Sequence, residues 1–204
     1  MTCLPAPPLL LITDCSQAAR PLEGVVADAL AAGCRWVSVR EKDLPEAERR
    51  ALLRRIQALV QPVGAIVTVH ADLEAAAEAD GLHLVAGGDP GAARHRLGPS
   101  ALIGVSCHSG AEVEAALTAG ADYVTLGPVA PTASKPGYVP ALSPAEAGAI
   151  ACRHPGRVIA LGGVEPDLVP GLLAAGFAGI AVMGSVMRAT APGAVIGALL
   201  AALR

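Results

Sequence analysis

The chain reads as short apolar blocks separated by longer amphipathic, alanine-rich stretches. Near-continuous runs of Val, Ile, Leu and Ala predict strands over residues 9–13, 36–40, 65–69, 81–84, 102–105, 123–126, 158–161 and 179–182. Such runs are expected of a parallel sheet covered on both faces. Between them, helical patterns cover 21–32, 45–60, 72–78, 90–97, 111–119, 144–153, 166–175 and 192–203. Several open with Pro in the first turn, where its missing N–H forfeits no hydrogen bond. Ser143 and Glu165 stand where caps are expected. One phrase recurs: Ala32-Gly33, Ala119-Gly120 and Ala175-Gly176 each precede a strand residue four positions beyond the glycine, namely Val37, Val124 and Ile180. Glycine takes the left-handed turn that ends a helix, and the chain re-enters the sheet at once. Strand, helix, glycine stop and strand, repeated about eight times, predict α/β architecture as a single (β/α)8 TIM barrel across residues 1–204. A doubly wound open sheet is the alternative topology.

Composition narrows the function. At 204 residues and 53% hydrophobic, the chain can bury one large core. Its aromatics are Trp36, Tyr123, Tyr138 and Phe177, too few for a base-stacking surface, so no nucleic acid is expected as partner. Fifteen Lys and Arg against eighteen Asp and Glu leave a net charge of −3, which provides no basic field for a polyanion. A phosphate must therefore be held locally, by loops and helix ends. No basic leader and no run of eighteen apolar residues is present, so neither a signal peptide nor a membrane partner is expected. Cys3, Cys15, Cys34, Cys107 and Cys152 are odd in number and form no CxxC pair. They read as reduced thiols in a cytoplasmic protein.

In a barrel, chemistry belongs on the loops after the strands, at the C-terminal face. The seventh and eighth loops, Gly162-Gly163 and Gly184-Ser185, let backbone N–H groups approach a phosphate. The loop after strand six carries Thr132, Ser134 and Lys135, two hydroxyls and an ammonium able to converge on phosphate oxygens. Ser38 and Arg40 share one parity on strand two, and Arg40 with Lys42 is suited to an anion. Asp43 and Glu41 read as a solvated helix start. His70, Ser106 and His108 follow strands three and five, and His83 reads as a satisfied structural histidine. Cys107 reads as an inert buried thiol, Met183 and Met187 as core, and Arg49-Arg50 and Arg54-Arg55 as the wet face of a helix.

The stretches LLLITD (9–14), VSVREK (37–42), ADGLHL (79–84), IGVSCHS (103–109), GADYVTLGPVAPTASKPG (120–137), ALGGV (160–164) and GIAVMGSV (179–186) together resemble the thiamine phosphate synthase and thiazole tautomerase superfamily. The resemblance implies an enzyme of thiamine biosynthesis, a transferase with small phosphorylated pyrimidine and thiazole substrates. Synthase chemistry joins a hydroxymethylpyrimidine diphosphate to a hydroxyethylthiazole phosphate with magnesium-assisted loss of diphosphate. Carried over by motif, Arg40 and Lys42, assisted by Lys135, would bind the diphosphate and Ser106 would lie beside the pyrimidine. Thr132, Ser134, Gly162, Gly163, Gly184 and Ser185 would hold the thiazole phosphate.

The sequence also departs from that family. Ser38 stands in place of a Gln that helps seat the pyrimidine, and Gly184 in place of a Ser that Ser185 can compensate. The Asn-Asp pair after strand three, whose Asp is a magnesium ligand, gives way to His70-Ala71-Asp72. For the second magnesium ligand Asp89 is the nearest residue, displaced by about one position. The thiazole tautomerase is the alternative; its His after strand six is here Gly127-Pro128, so His70 or His108 would have to serve as base. A non-catalytic thiazole-phosphate binder is a third reading.

Overall fold

The computed structural model describes residues 4–132 and 142–204. Eight parallel strands pair in sequential order and close on themselves: β1 (Leu9–Ile12), β2 (Trp36–Val39), β3 (Ile66–His70), β4 (Gly81–Leu84), β5 (Leu102–Cys107), β6 (Tyr123–Leu126), β7 (Val158–Leu161) and β8 (Gly179–Val182). The (β/α)8 barrel is thereby borne out and the open sheet set aside. The helices are α1 (Leu22–Ala31), α2 (Glu46–Val60), α3 (Leu73–Ala76), α4 (Pro90–Leu97), α5 (Gly110–Thr118), α6 (Pro144–Arg153), α7 (Val169–Ala174), α8 (Gly184–Met187) and α9 (Pro192–Ala202).

The recurring glycines behave as their sequence context requires. Gly33, Gly120 and Gly176 have φ of 109°, 101° and 95°, the left-handed region where a Cβ would be strained. Ser143 forms a full capping box with Glu146 at the start of α6. Glu165, expected as a cap, is not one: α7 begins later, with Leu168 at its N-cap and no side-chain bond there. The four-residue α8 has no counterpart in the sequence reading, because a single turn is too short to show helical periodicity.

Two apolar layers form the core. One parity of each strand, such as Leu9, Leu11, Val37 and Val39, packs outward against the helices. The other parity fills the barrel with Leu10, Ile12, Trp36, Tyr123, Ile159 and Ala181. Trp36 meets Tyr123 edge to face, with ring centroids 4.7 Å apart. Toward the C-terminal face this inward parity turns polar, with Ser38, Thr68, His83 and Thr125 all buried. A polar layer sealed under the mouth is costly unless its groups bond one another, and here several do. Among the described residues, no helix is long and apolar enough to cross a membrane.

Candidate active site

A cavity of about 410 Å³ opens at the C-terminal face, within the usual range for a small-molecule site. The loops after β7 and β8 build one side of it. Gly162 and Gly163 have φ of 91° and 67°. A Cβ at Gly163 would stand 2.5 Å from the carbonyl oxygen of Pro131, so these glycines also let the β6 loop lie against the β7 loop. Val129 and Ala130 donate N–H bonds to the carbonyls of Leu161 and Gly162, at 2.9 and 3.1 Å, which joins the two loops. Gly184 and Ser185 head α8, where backbone N–H groups lack intrahelical acceptors. Thr132 lines the same cavity. Ser134 and Lys135 lie outside the described residues.

Arg40 and Lys42 supply charge from the β2 side. The Arg40 backbone N–H donates to Thr13 Oγ1 at 3.0 Å, fixing the strand end against β1. Its guanidinium pairs with Asp14 at 3.3 Å and reaches the Met183 sulfur at 3.8 Å. Met183 is thus half-buried at the mouth, whereas Met187 is core as expected. Burial alone would raise the Asp14 carboxyl, but hydrogen bonds from Ser16 and Gln17 and the Arg40 charge outweigh it and hold the group below the usual range. Gln17 donates to Asp14 at 2.7 Å and accepts from Arg188, so a polar chain runs from Arg40 to Arg188 across the β1 loop. Arg188 lines the cavity and was missed in the sequence. It sits three residues beyond Ser185, on the same side of a turn, a relation visible only once α8 is known.

Glu41 corrects its expected solvated role. It is buried, and its carboxylate accepts the Cys15 N–H at 2.9 Å, stapling the β1 loop to the β2 loop beside Arg40. Arg49 differs likewise from a wet-face residue, pairing with Asp72 at 2.8 Å. Ser38 does share the inward side with Arg40, but two residues down the strand it lies beneath the floor, 1% exposed and not against the cavity. Direct contact with a pyrimidine is therefore not open to it in this structure.

His83, Ser106, Tyr123 and Thr125 form the floor. His83 Nδ1 is 2.9 Å from the Tyr123 hydroxyl, and its Nε2 is 3.0 Å from Ser106 Oγ and 3.4 Å from Thr125 Oγ1. The structural role expected for His83 is borne out, and its ring also orients Ser106 toward the cavity. His70 is paired in register with His83 and stacked on it, with centroids 5.7 Å apart and planes 22° from parallel. His108 Nδ1 lies 2.6 Å from the Gly127 carbonyl, which can only accept, so that nitrogen carries the proton and the ring ties β5 to the β6 loop. Cys107 is buried, and burial followed by the Glu112 charge pushes its thiol up to about 12, in keeping with an inert group.

Burial, then the charges of Arg40 and Lys42, holds the His70 imidazole down at about 4. Burial, then the neighbouring His70, holds His83 at about 3. Both are neutral in the folded protein at pH 7, whereas unfolded histidines titrate near 6.5. Below that pH the unfolded chain binds more protons than the native one, so stability falls as pH drops from about 6.5 toward 4. Urea unfolding between pH 7 and 4.5 should register a loss of a few kcal/mol. His70→Gln should flatten part of that slope, and a flat wild-type profile would contradict buried neutral rings.

Asp89 and Asp72, the carboxylates closest to the expected metal positions, do not form a magnesium site. Asp89, the candidate ligand, is exposed and caps α4, its Oδ1 accepting the Ala92 N–H at 3.0 Å; it does not line the cavity. Asp72 caps α3 through Oδ1, at 3.0 Å from the Ala75 N–H, and gives Oδ2 to Arg49. His70 offers nitrogen where a hard cation wants oxygen. Among the described residues, no group of three or more His, Cys, Asp or Glu could hold a metal ion.

Closed barrel, glycine loops and a cationic rim define a (β/α)8-barrel protein with a small-molecule cavity at its C-terminal mouth. The chain belongs to the thiamine monophosphate synthase family, whose model matches residues 9–186. It is 42% identical over 199 residues to a Geobacter sulfurreducens protein provisionally named a thiamine-phosphate synthase, covering 96% of this chain and 93% of that one. A Salinispora tropica thiamine-phosphate synthase is 39% identical over 201 residues, 96% of each chain. The solved thiamine phosphate pyrophosphorylase of Pyrococcus furiosus superposes with a TM-score of 0.83 at 27% identity, covering 96% of this chain and 94% of that one.

Proposed function

We propose that the protein is a thiamine phosphate synthase, a transferase joining a hydroxymethylpyrimidine diphosphate to a hydroxyethylthiazole phosphate. The observation that carries this reading is the meeting, in one cavity, of the β2 cations with the glycine loops of β7 and β8. Two anionic groups need two such sets, and the family match and the relatives' names supply the reaction class. The tautomerase alternative is not favoured by those names, and Gly127-Pro128 stands where that enzyme carries its histidine.

In this reading Arg40, Lys42 and Lys135 take the diphosphate, while Gly162, Gly163, Gly184, Ser185, Thr132 and Ser134 take the thiazole phosphate. Ser106, held by His83, sits beside the pyrimidine. The bond from the pyrimidine methylene carbon to the diphosphate oxygen breaks, and its electron pair leaves on that oxygen. The thiazole ring nitrogen then gives its lone pair to the methylene carbon, forming the C–N bond of thiamine phosphate. The cations stabilise the leaving group, and the floor keeps the two rings in line. No step here passes through a metal held by this chain, because Asp72 and Asp89, the carboxylates nearest the family's metal positions, cap helices instead.

Incubation of the purified protein with both substrates, with magnesium or with EDTA, should yield thiamine phosphate and diphosphate in equal amounts. Absence of product under both conditions, from folded protein that binds the thiazole phosphate, would replace the synthase by a binding protein.

A further inference from the structure

At the open ends of β2 and β3, the side chains facing the cavity are Arg40, Lys42 and His70; of the carboxylates between and beside them in the chain, Glu41 is buried and Asp43 is exposed, and neither lines the cavity. The His70 ring is held in plane by its stack on His83, whose own nitrogens are engaged with Tyr123 and Ser106. His70 Nε2 is sealed from solvent with no hydrogen-bond partner among the described residues. A buried N–H without an acceptor is rarer and costlier than an unused lone pair. The proton of the neutral ring therefore belongs on Nδ1, which is not sealed in this way. That leaves one imidazole N–H available to a ligand beside two cations.

The carboxylates nearest these three side chains serve the fold. Asp72 closes the first turn of α3 and pairs with Arg49; Asp89 closes the first turn of α4; Glu41 is buried beneath the β1 loop, one oxygen taking the Cys15 N–H and the other, without a partner among the described residues, sealed from solvent and from any ion in the cavity. From this geometry we infer that the chain grips the leaving diphosphate directly, through Arg40, Lys42 and the Nδ1–H of His70, in place of a protein-ligated divalent cation. The inference rests on the synthase reading. Direct N–H contacts to an anion's oxygens are short and strong. With the two cations beside the imidazole N–H, they meet the negative charge that grows on the leaving oxygen, without needing a carboxylate pair to anchor a metal.

Calorimetric titration of the full chain with inorganic pyrophosphate tests this. In EDTA the wild type should bind, and millimolar magnesium should change its Kd by less than about threefold. His70→Ala should raise the Kd in EDTA at least tenfold, or about 1.4 kcal/mol. His70→Asn, which restores an N–H donor, should recover part of the loss and serves if the alanine variant does not fold. His70→Asp, which swaps the donor for a carboxylate, should bind pyrophosphate only with magnesium. Wild-type binding that requires magnesium, or His70→Ala and His70→Asn both matching wild type in EDTA, would overturn the inference. Magnesium-dependent binding together with product formation would leave the synthase reading intact and remove only this proposal. Binding in EDTA without product would do the reverse.

Discussion

Arg40→Ala should lower kcat/KM for the coupling reaction by 100- to 1,000-fold while leaving the melting temperature nearly unchanged. The guanidinium stands half-buried at the mouth, aimed by Asp14 and by the Thr13 bond to its own backbone. No part of the apolar core depends on it. Its loss removes a preoriented cation from the position where negative charge grows, a change worth about 3–4 kcal/mol in comparable sites. The Asp14 carboxylate would keep its bonds from Ser16 and Gln17, so the β1 loop should hold its shape. Arg40→Lys should recover only part of the rate, because an ammonium cannot pair with Asp14 and present a planar fork to the ligand together. Initial rates over a range of the diphosphate substrate would measure this. A loss below about threefold for the alanine variant would place the leaving group elsewhere.

Gly104→Ala should cost stability more than any single-methyl change on the surface. A Cβ there would lie 2.1 Å from Tyr123 Cζ, inside the ring's own volume. The ring cannot yield easily: Trp36 meets it at 4.7 Å, and its hydroxyl is tied to His83. Overpacking of this kind costs about 1–3 kcal/mol, occasionally more, which for a domain of this size lowers the melting temperature by roughly 2–12 °C. The displacement should also reach function, since Tyr123, His83 and Ser106 form one chain from the core to the cavity floor. Thermal melts of Gly104→Ala, Tyr123→Ala and the double variant form the check. The double variant should be more stable than the sum of the singles predicts, because removing the ring makes room for the methyl. Strict additivity would show that the ring and the glycine do not meet.

The eight strand–helix units, the glycine stops and the Ser143 cap were legible because each is written in a window of about ten residues. A left-handed glycine or a capping box needs no distant partner. The placement rule for barrel chemistry then led from those units to Arg40, Lys42, His70, Ser106, His108, Thr132, Gly162, Gly163, Gly184 and Ser185, all of which line the cavity. Parity put Ser38 on the correct side of β2, but the depth of the floor could not be read from one strand. Depth depends on how far neighbouring strands are staggered, and register with Ile12 and Thr68 exists only after closure.

Tertiary structure alone decided the partners. Arg188 reaches the mouth through a one-turn helix with no periodic signature, and meets Gln17 at the other end of the chain. Glu41 looks like a solvated charge until Cys15, 26 positions away, comes to lie over it. Asp72 and Asp89 look like free carboxylates until α3 and α4 form behind them and take up their oxygens. The His70–His83 stack joins strands whose sequences carry no trace of each other. Backbone conformation answers to short-range sterics and periodicity, which a sequence displays directly. The pairing of side chains across the barrel answers to closure and register, which arise only when the strands have met.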